Sequence, residues 1–373
     1  MSRLLLVFVD ALGPTQLEAA ASRLAFAPHR GVLSGILGYS SGALATLLTG
    51  APPKEHGRMC LFSQAAPGDG LLRPMMLLGL LPRFVHERGV VRRLGARALA
   101  RFRGLSGYVA LHKVPPAAFS WLDLPEREDL FLADEIGGQE TFLQAARARG
   151  LRVQAARWAL PESQRFDELE KRVAKEGADL VFAYAAGLDG VLHAEGNGGA
   201  RENATIESIA LHVERLQHAL RGDGPVTTVL VGDHGMADVT RVVDPRSVTA
   251  RFGRTRHFVD STFLRIWGSA GELDRARHEI ERAHWPAEWL DRPALESRAA
   301  PTVGSPYGDA MVVLREGTIF APSFVGGVAR GMHGYDLGTH SSKAAIASDA
   351  PLPESLEALT GISALVRQHL ELA

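Results

Sequence analysis

Four apolar segments of the chain each run into a polar residue or a glycine-containing turn. They occupy residues 4–9, 151–155, 180–185 and 226–231. Their aliphatic and β-branched composition predicts buried strands, with polar side chains placed where the strands end.

Residues 202–220, between the last two predicted strands, carry apolar positions spaced three and four apart. This spacing predicts an amphipathic helix. The apolar positions are Ile206, Ile209, Ala210, Val213, Leu216 and Leu220. Strands that alternate with helices indicate an α/β fold with a mostly parallel central sheet flanked by helices.

Two stretches lack this alternation. Residues 62–130 are rich in Met, Leu and Arg, and residues 246–330 predict a strand, a helix and then a pair of strands. We expect both to be insertions that form a lid or cap at the carboxyl edge of the sheet. The core domain then comprises residues 1–61, 131–245 and 331–373.

The composition is typical of a soluble globular enzyme, with 46% hydrophobic and 22% charged residues among 373. A net charge of −1 gives no reason to expect a stable nucleic-acid partner. Cys60 is the only cysteine, which excludes an intramolecular disulfide and leaves His and carboxylate side chains as metal ligands. No apolar run reaches the roughly 18 residues of a membrane span, and the first strand lacks a cleavage site. We therefore expect a cytoplasmic location.

An acid and a histidine stand side by side in "VGDHGMADV", residues 231–239. Asp233 and His234 follow the last predicted strand, and Asp10 follows the first. The carboxyl ends of parallel strands meet at one edge of a sheet, where ligands bind. Taken alone, the pair is more simply a turn with an Asp cap and a surface histidine, and Asp10 suits a helix cap equally well.

Further candidates lie in "LDGVLHAEG" and "ARGMHGYDLG". Asp189 and His193 are four residues apart, so they share one helix face and can reach one ion together. His333 lies between glycines. Taken singly, an exposed Asp–His pair and a loop histidine are commoner than metal ligands.

Two adjacent serines open the small-residue stretch "GYSSGALATLLTG", residues 38–50. A serine at a helix start lies near the positive end of the helix dipole, which suits a nucleophile that meets an anion. A plain helix cap is the simpler interpretation of either Ser40 or Ser41.

Together, Asp10, "SSGALATLLTG", "DGVLH", "GDHGMADV" and "GMHGY" resemble the alkaline phosphatase superfamily in this order. Within it they are most similar to the nucleotide pyrophosphatase/phosphodiesterase branch. The resemblance implies that superfamily's α/β fold and two zinc ions, with Mn²⁺ as an alternative. It implies one ion held by Asp10, Ser40, Asp233 and His234, and a second held by Asp189, His193 and His333.

The resemblance also implies that a small-molecule phosphoester is hydrolysed by in-line attack of a serine, through a phosphoseryl or nucleotidyl-seryl intermediate. The matching serine lies ten residues before Gly50, which selects Ser40. We expect Ser41 to cap the helix instead.

The chain departs from the family pattern at the nucleophile, where Ser40 replaces the usual threonine and Ala43 replaces an asparagine that donates to phosphate. Three alternatives therefore stay open: a phosphomonoesterase, a phosphonate or sulfate ester hydrolase, and an inactive member that binds anions. A sulfatase is disfavoured because Gly42 and Leu44 stand where its formylglycine motif needs Pro or Ala and Arg. A cofactor-independent phosphoglycerate mutase is disfavoured by the long insertion before His333.

The charges favour a phosphodiester over a monoester. The serine alkoxide and three aspartates balance two divalent ions, and residues 40–50 contain no Arg or Lys. A nucleotide or a lipid-like molecule fits this requirement. Residues 83–103, in which Arg93, Arg97 and Arg101 recur every four residues, are most simply a lid helix with a solvated face. The alternative is a site for an anionic or lipid-like substrate, or for transient membrane contact.

Overall fold

The computed structural model describes residues 3–221 and 224–372. The strands in this part of the chain are β1 Arg3–Val9, β2 His29–Ser34, β3 Ser63–Gln64, β4 Leu122–Asp123, β5 Glu135–Ile136, β6 Gln139–Glu140, β7 Val153–Ala155, β8 Leu180–Ala185, β9 Val226–Val231, β10 Ala237–Asp238, β11 Arg241–Val243, β12 Arg256–Val259, β13 Phe263–Trp267, β14 Ala287–Leu290, β15 Ala310–Leu314, β16 Thr318–Phe320, β17 Gly331–Met332 and β18 Lys343–Ser348.

The α-helices are α1 Pro14–Ala19, α2 Ser40–Thr49, α3 Pro53–His56, α4 Arg83–His86, α5 Gly89–Arg103, α6 Phe142–Ala148, α7 Glu162–Glu176, α8 Gly187–Glu195, α9 Ala200–Arg221, α10 Arg246–Thr249, α11 Ala270–Arg282, α12 Arg292–Ser297 and α13 Gly361–His369. Three 3₁₀ helices in the described residues span Arg73–Leu80, Pro116–Ser120 and Ala250–Phe252.

The central sheet has six strands in the order β2-β18-β9-β1-β8-β7. Strand β1 pairs in parallel with both β8 and β9, and β7 pairs in parallel with β8. Only β18 runs antiparallel to its two neighbours. Every residue of β1 is buried, because the strand is central in the sheet, and its uninterrupted apolar run reflects this position. The predicted α/β fold with a mostly parallel sheet is confirmed.

Helices cover the sheet in two groups. Helix α9 contacts both α7 and α8, whereas α2, α6 and α13 all contact one another. All six apolar positions predicted for the 202–220 helix are buried in α9. The strand predicted at residues 151–155 is shorter and begins at Val153.

The stretch 246–330 contains an antiparallel sheet of order β12-β13-β15-β14 together with helix α11. The predicted strand pair at its end is present as β15 and β16, although β16 pairs with β11. The stretch 62–130 contains helices α4 and α5, two of the 3₁₀ helices and the short strands β3 and β4. The two stretches pack together through a shared apolar cluster that includes Phe62, Leu99, Phe258 and Trp267. The exact domain boundaries stay predictions.

Among the described residues, no helix has the length and apolar character needed to cross a membrane.

Candidate metal centre and catalytic site

All seven predicted site residues lie near one edge of the central sheet. Asp10 directly follows β1, Asp233 follows β9 after one residue, and α8 carries Asp189 soon after β8. Since β8, β1 and β9 are adjacent and parallel, their carboxyl ends bring these three carboxylates together. Ser40 is the first residue of α2.

The first group of side chains surrounds the Ser40 hydroxyl. Ser40 Oγ donates to Asp10 Oδ1 at 3.3 Å and lies 3.1 Å from His234 Nε2. His234 Nε2 is 3.2 Å from Asp233 Oδ2 and 3.5 Å from Asp10 Oδ1. Candidate ligand atoms of Asp10, Asp233 and His234 lie within 4.8 Å of one another, which suits a single ion.

The second group is centred on Asp189. Its Oδ1 lies 3.2 Å from His193 Nε2 and 3.6 Å from His333 Nε2. Candidate ligand atoms of Asp189, His234 and His333 also lie within 4.8 Å of one another. The rings of His234 and His333 are stacked, with centroids 3.6 Å apart. His234 therefore lies between the two groups, whereas the family pattern assigns it to the first ion alone.

Three buried polar atoms at this edge make no well-directed hydrogen bond within the described chain, although each of the two carboxylate oxygens among them lies 3.2 Å from a histidine nitrogen. They are Asp189 Oδ1, Asp233 Oδ2 and His333 Nδ1. An unsatisfied buried polar atom is costly unless an ion or a water completes it. Three carboxylates and three imidazoles converge here, and that donor set suits Zn²⁺ or Mn²⁺.

In the folded protein, burial and neighbouring charges shift the pKa values of these groups. Burial raises the pKa of Asp10 well above its ordinary value, and the Asp233 and Asp189 carboxylates raise it further. Burial, together with nearby Asp189, raises the pKa of Asp233 to about 7. Burial and the adjacent His234 lower the pKa of His333, which favours the neutral imidazole that a metal ligand requires. Divalent cations would relieve the repulsion among the carboxylates.

In the Asp189–His193 pair, the pKa shifts favour the charged form of both side chains. Burial would raise the pKa of Asp189, but the contact with His193 and the nearby His333 bring it below the ordinary value. Burial likewise opposes the charged form of His193, yet Asp189 raises the pKa of that imidazole to about 9.

Hydrogen bonds to backbone groups orient several of the candidate ligand side chains. His234 Nδ1 donates to Gly235 O and His193 Nδ1 donates to Gly331 O, each at 2.9 Å, so that both rings direct Nε2 into the site. The Ala11 backbone N–H donates to Asp233 Oδ1 at 3.1 Å.

Tyr184 is a site residue that the sequence interpretation missed. Its hydroxyl donates to Asp10 Oδ2 at 3.0 Å. The residue lies within the buried strand β8, and its only local signal is a hydroxyl in an otherwise apolar run.

Glycine permits two close approaches around His333. A Cβ at Gly331 would lie 2.4 Å from Leu192 O, so glycine lets β17 approach α8 where His193 is bound. Gly334 has φ +78, and a Cβ there would lie 2.5 Å from the ring of Tyr39. That ring packs edge-on against His333.

The expectation that Ser41 caps α2 is wrong. The helix begins at Ser40, its N-cap residue is Tyr39, and no side chain caps it. Ser41 Oγ is buried and has no hydrogen-bond partner. The helix begins one residue earlier than expected. Because Ser40 is already the first helical residue, Ser41 lies inside the helix and not at the capping position.

A cavity of about 560 Å³ opens over these residues. Both insertions contribute to its lining, through Tyr108 and His112 from the first and Asp260, Ser261 and Val325 from the second. A smaller pocket beside Ser40 is lined by the aromatic residues Tyr108, Phe131, Trp158 and Tyr184 and by the acids Glu126, Glu128 and Asp129. No Lys or Arg from the described residues lines either space.

Comparison with known families gives the same assignment as the motifs. A family model described as type I phosphodiesterase / nucleotide pyrophosphatase matches residues 112–336. The chain belongs to this family. The match includes five of the predicted site residues and lies C-terminal to Asp10 and Ser40, which the fold brings to the same edge. The predicted superfamily is thereby confirmed.

Solved structures support the fold. Human ectonucleotide pyrophosphatase/phosphodiesterase 5 superposes with a TM-score of 0.69 at 14% identity, covering 100% of this chain and 96% of its own. The murine protein gives 0.67 at 15% identity with the same coverage. An inactive murine variant in complex with AMP gives the same values. Comparison with curated protein sequences found no match.

Proposed function

We propose that this chain is a metal-dependent phosphodiester hydrolase whose nucleophile is the Ser40 hydroxyl. The observation that carries the proposal is the position of Ser40 Oγ, within 3.3 Å of both Asp10 Oδ1 and His234 Nε2. The hydroxyl also lies at the first residue of α2, where the helix dipole favours an anionic substrate. Family membership supports the reaction class.

The donor set fits two divalent cations, Zn²⁺ first and Mn²⁺ as the alternative. Asp10, Ser40, Asp233 and His234 would hold one cation, and Asp189, His193 and His333 the other. When bound, the cations supply Lewis-acid activation of the hydroxyl and neutralise charge on the phosphoryl group. Tyr184 and the backbone N–H of Ala11 hold the Asp10 and Asp233 carboxylates in place.

In the proposed reaction, a covalent intermediate forms on Ser40 and is then hydrolysed. Ser40 Oγ attacks phosphorus and forms an O–P bond as the bond to the leaving oxygen, on the opposite side, breaks. The proton that Ser40 Oγ loses passes to solvent, and the leaving oxygen takes up one proton from solvent. A water molecule then attacks phosphorus in line and breaks the bond to Ser40 Oγ. One proton of that water returns the serine to its hydroxyl form, and the product is the phosphate monoester.

The charges around the site support a diester substrate. Glu128 and Asp129 line the pocket beside Ser40 and would repel the second negative charge of a monoester. Glu126 also lines this pocket, but burial raises its pKa to about 7, so it adds a full negative charge only above that pH. Trp158 stacks on Tyr184 with ring centroids 5.7 Å apart, so the pocket offers aromatic faces to a leaving group. A nucleotide-like substrate agrees with this surface and with the AMP complex of the murine relative.

The test uses bis(p-nitrophenyl) phosphate and p-nitrophenyl phosphate, which share one leaving group. We expect faster diester hydrolysis, loss of activity after exhaustive chelation, and recovery with Zn²⁺ or Mn²⁺. Full activity after chelation would contradict the metal mechanism. A faster monoester reaction would favour a phosphomonoesterase, and a faster p-nitrophenyl sulfate or phosphonate ester reaction would favour those hydrolases. Bound metal without hydrolysis of any ester would indicate an inactive, anion-binding member.

A further inference from the structure

The first insertion exposes a concentration of large apolar side chains between residues 73 and 103, hereafter the insertion surface. They are Met76, Leu77, Leu80, Leu81, Phe84, Val90, Leu94 and Phe102. These are half of the large apolar side chains that the described residues expose, and Leu80 and Phe102 are 81% and 86% exposed. So dense a group marks an interaction site more often than a scatter of single residues does.

The insertion surface rests on a packed structure. Helix α5 buries Arg92, Ala96 and Leu99 on its inner face. Arg92 donates to the carbonyl oxygens of His86 and Val114, each at 2.7 Å, and so ties α5 to its surroundings. Helices α4 and α5 and the 3₁₀ helix Arg73–Leu80 all contact one another. The exposed apolar side chains therefore belong to a folded layer and face outward from it.

The same segment is strongly basic. Residues 73–103 contain eight arginines and one acid, Glu87, which gives a net charge of +7. Val90, Leu94, Arg97 and Arg101 recur at helical spacing on the outer side of α5, and all four are exposed. Arginine stems can lie along such apolar side chains while the guanidinium groups reach outward.

We propose that the insertion surface binds the anionic face of a lipid bilayer. Lipid phosphates and carboxylates pair with the arginines, and the boundary between headgroups and acyl chains accepts the Leu and Phe side chains. A nucleic acid would pair with the arginines but leave the apolar side chains in water. A second copy of the same surface would place +7 against +7.

Bound in this way, the layer would bring the catalytic cleft towards the membrane. Arg93, Ala96 and Arg97 line a cavity of about 400 Å³ together with His112 and residues 325–327. His112 and residues 325–327 also line the larger cavity over Ser40. The bilayer contact is nevertheless independent of the proposed hydrolysis, because its test measures binding alone.

The experiment is cosedimentation of the full chain with extruded vesicles. One set contains phosphatidylcholine only, and the other contains phosphatidylcholine with phosphatidylserine. We expect binding to the anionic vesicles that is at least about tenfold stronger than to the neutral ones and that weakens as salt rises.

Two sets of variants separate the contributions. Leu80→Ser with Phe84→Ser and Phe102→Ser, or Arg88→Glu with Arg97→Glu and Arg101→Glu, should each reduce vesicle binding by about tenfold or more. The matched controls alter exposed residues elsewhere: Leu132→Ser with Val303→Ser, and Arg254→Glu with Arg275→Glu and Arg315→Glu. They should bind as the unaltered chain does. Circular dichroism confirms that each variant is folded.

Several outcomes would overturn the inference. Absence of binding to anionic vesicles at low salt would do so without any variant. Equal loss of binding in the control variants would show that the contact is not specific to this surface. Light scattering could instead show a dimer that dissociates in the insertion variants. If the chain also failed to bind vesicles, the surface would be assigned to a contact between proteins.

Discussion

Replacing the two adjacent serines one at a time tests the mechanism most directly. Ser40→Ala removes the oxygen that lies 3.1 Å from His234 Nε2 and 3.3 Å from Asp10 Oδ1. Ser41→Ala removes a neighbouring hydroxyl of the same size, one residue further into α2. Each variant loses one serine hydroxyl, and the two positions are adjacent, so the variants are matched controls for each other.

The expected magnitudes differ widely. Without the nucleophile the covalent route is lost, and kcat should fall on the order of 10⁴-fold or more. That fall corresponds to about 5.5 kcal/mol of activation free energy. Ser41 Oγ is buried without a partner, so its removal breaks no hydrogen bond within the protein. The free energy of unfolding of Ser41→Ala should be unchanged or higher by up to about 1 kcal/mol.

Three measurements decide the outcome: kcat on bis(p-nitrophenyl) phosphate, bound metal by mass spectrometry, and the urea midpoint of unfolding. Ser40→Ala should retain most of its metal, because Asp10, Asp233 and His234 remain. An inactive Ser41→Ala beside an active Ser40→Ala would shift the nucleophile by one residue. Activity in both variants would refute covalent catalysis by either serine.

Three further predictions follow from buried contacts. Tyr184→Phe removes the 3.0 Å hydrogen bond to Asp10 and should weaken metal binding about tenfold in a competitive chelator titration. Arg265→Leu leaves Asp260 buried without its partner at 2.6 Å, and should lower the free energy of unfolding by about 3–5 kcal/mol in urea. Burial raises the pKa of Glu126 from 4.5 to about 7, so the folded chain binds this proton more tightly than the unfolded chain does. The free energy of unfolding therefore falls as the pH rises from 4.5 to 7. Glu126→Gln should therefore raise the melting temperature more at pH 8 than at pH 5.

The sequence predicts four of the six strands of the central sheet and misses β2 and β18, which lie together on one side. Strands β1, β8 and β9 are apolar, β-branched runs with clear ends, which is the strongest strand pattern. Strand β18 reads "KAAIAS", where three alanines give little β propensity. Its partner β2 lies more than 300 residues earlier, so the pairing that stabilises both strands leaves no local pattern.

The same reasoning explains which parts of the site were predicted. The seven candidate ligands stand in short motifs, and parallel strands bring them to one edge. Tyr184 was missed because its contact with Asp10 spans 174 residues and follows from the pairing of β1 with β8. The position of His234 between the two groups could not be predicted from the sequence either. It depends on where the distant loop places His333, whose ring stacks on that of His234.

The net charge of the whole chain hides a strongly basic segment on the surface. A net charge of −1 argues against a field that attracts anionic partners, yet residues 73–103 alone carry +7. The remaining residues then carry a formal charge of −8, and the carboxyl groups of Asp10, Asp189 and Asp233 converge in the cleft. Screening limits the reach of such fields to about 8–10 Å, so an acidic cleft and a basic outer layer act separately. The proposed attraction of the outer layer to an anionic bilayer is therefore compatible with the proposed preference of the interior site for a substrate that carries a single negative charge.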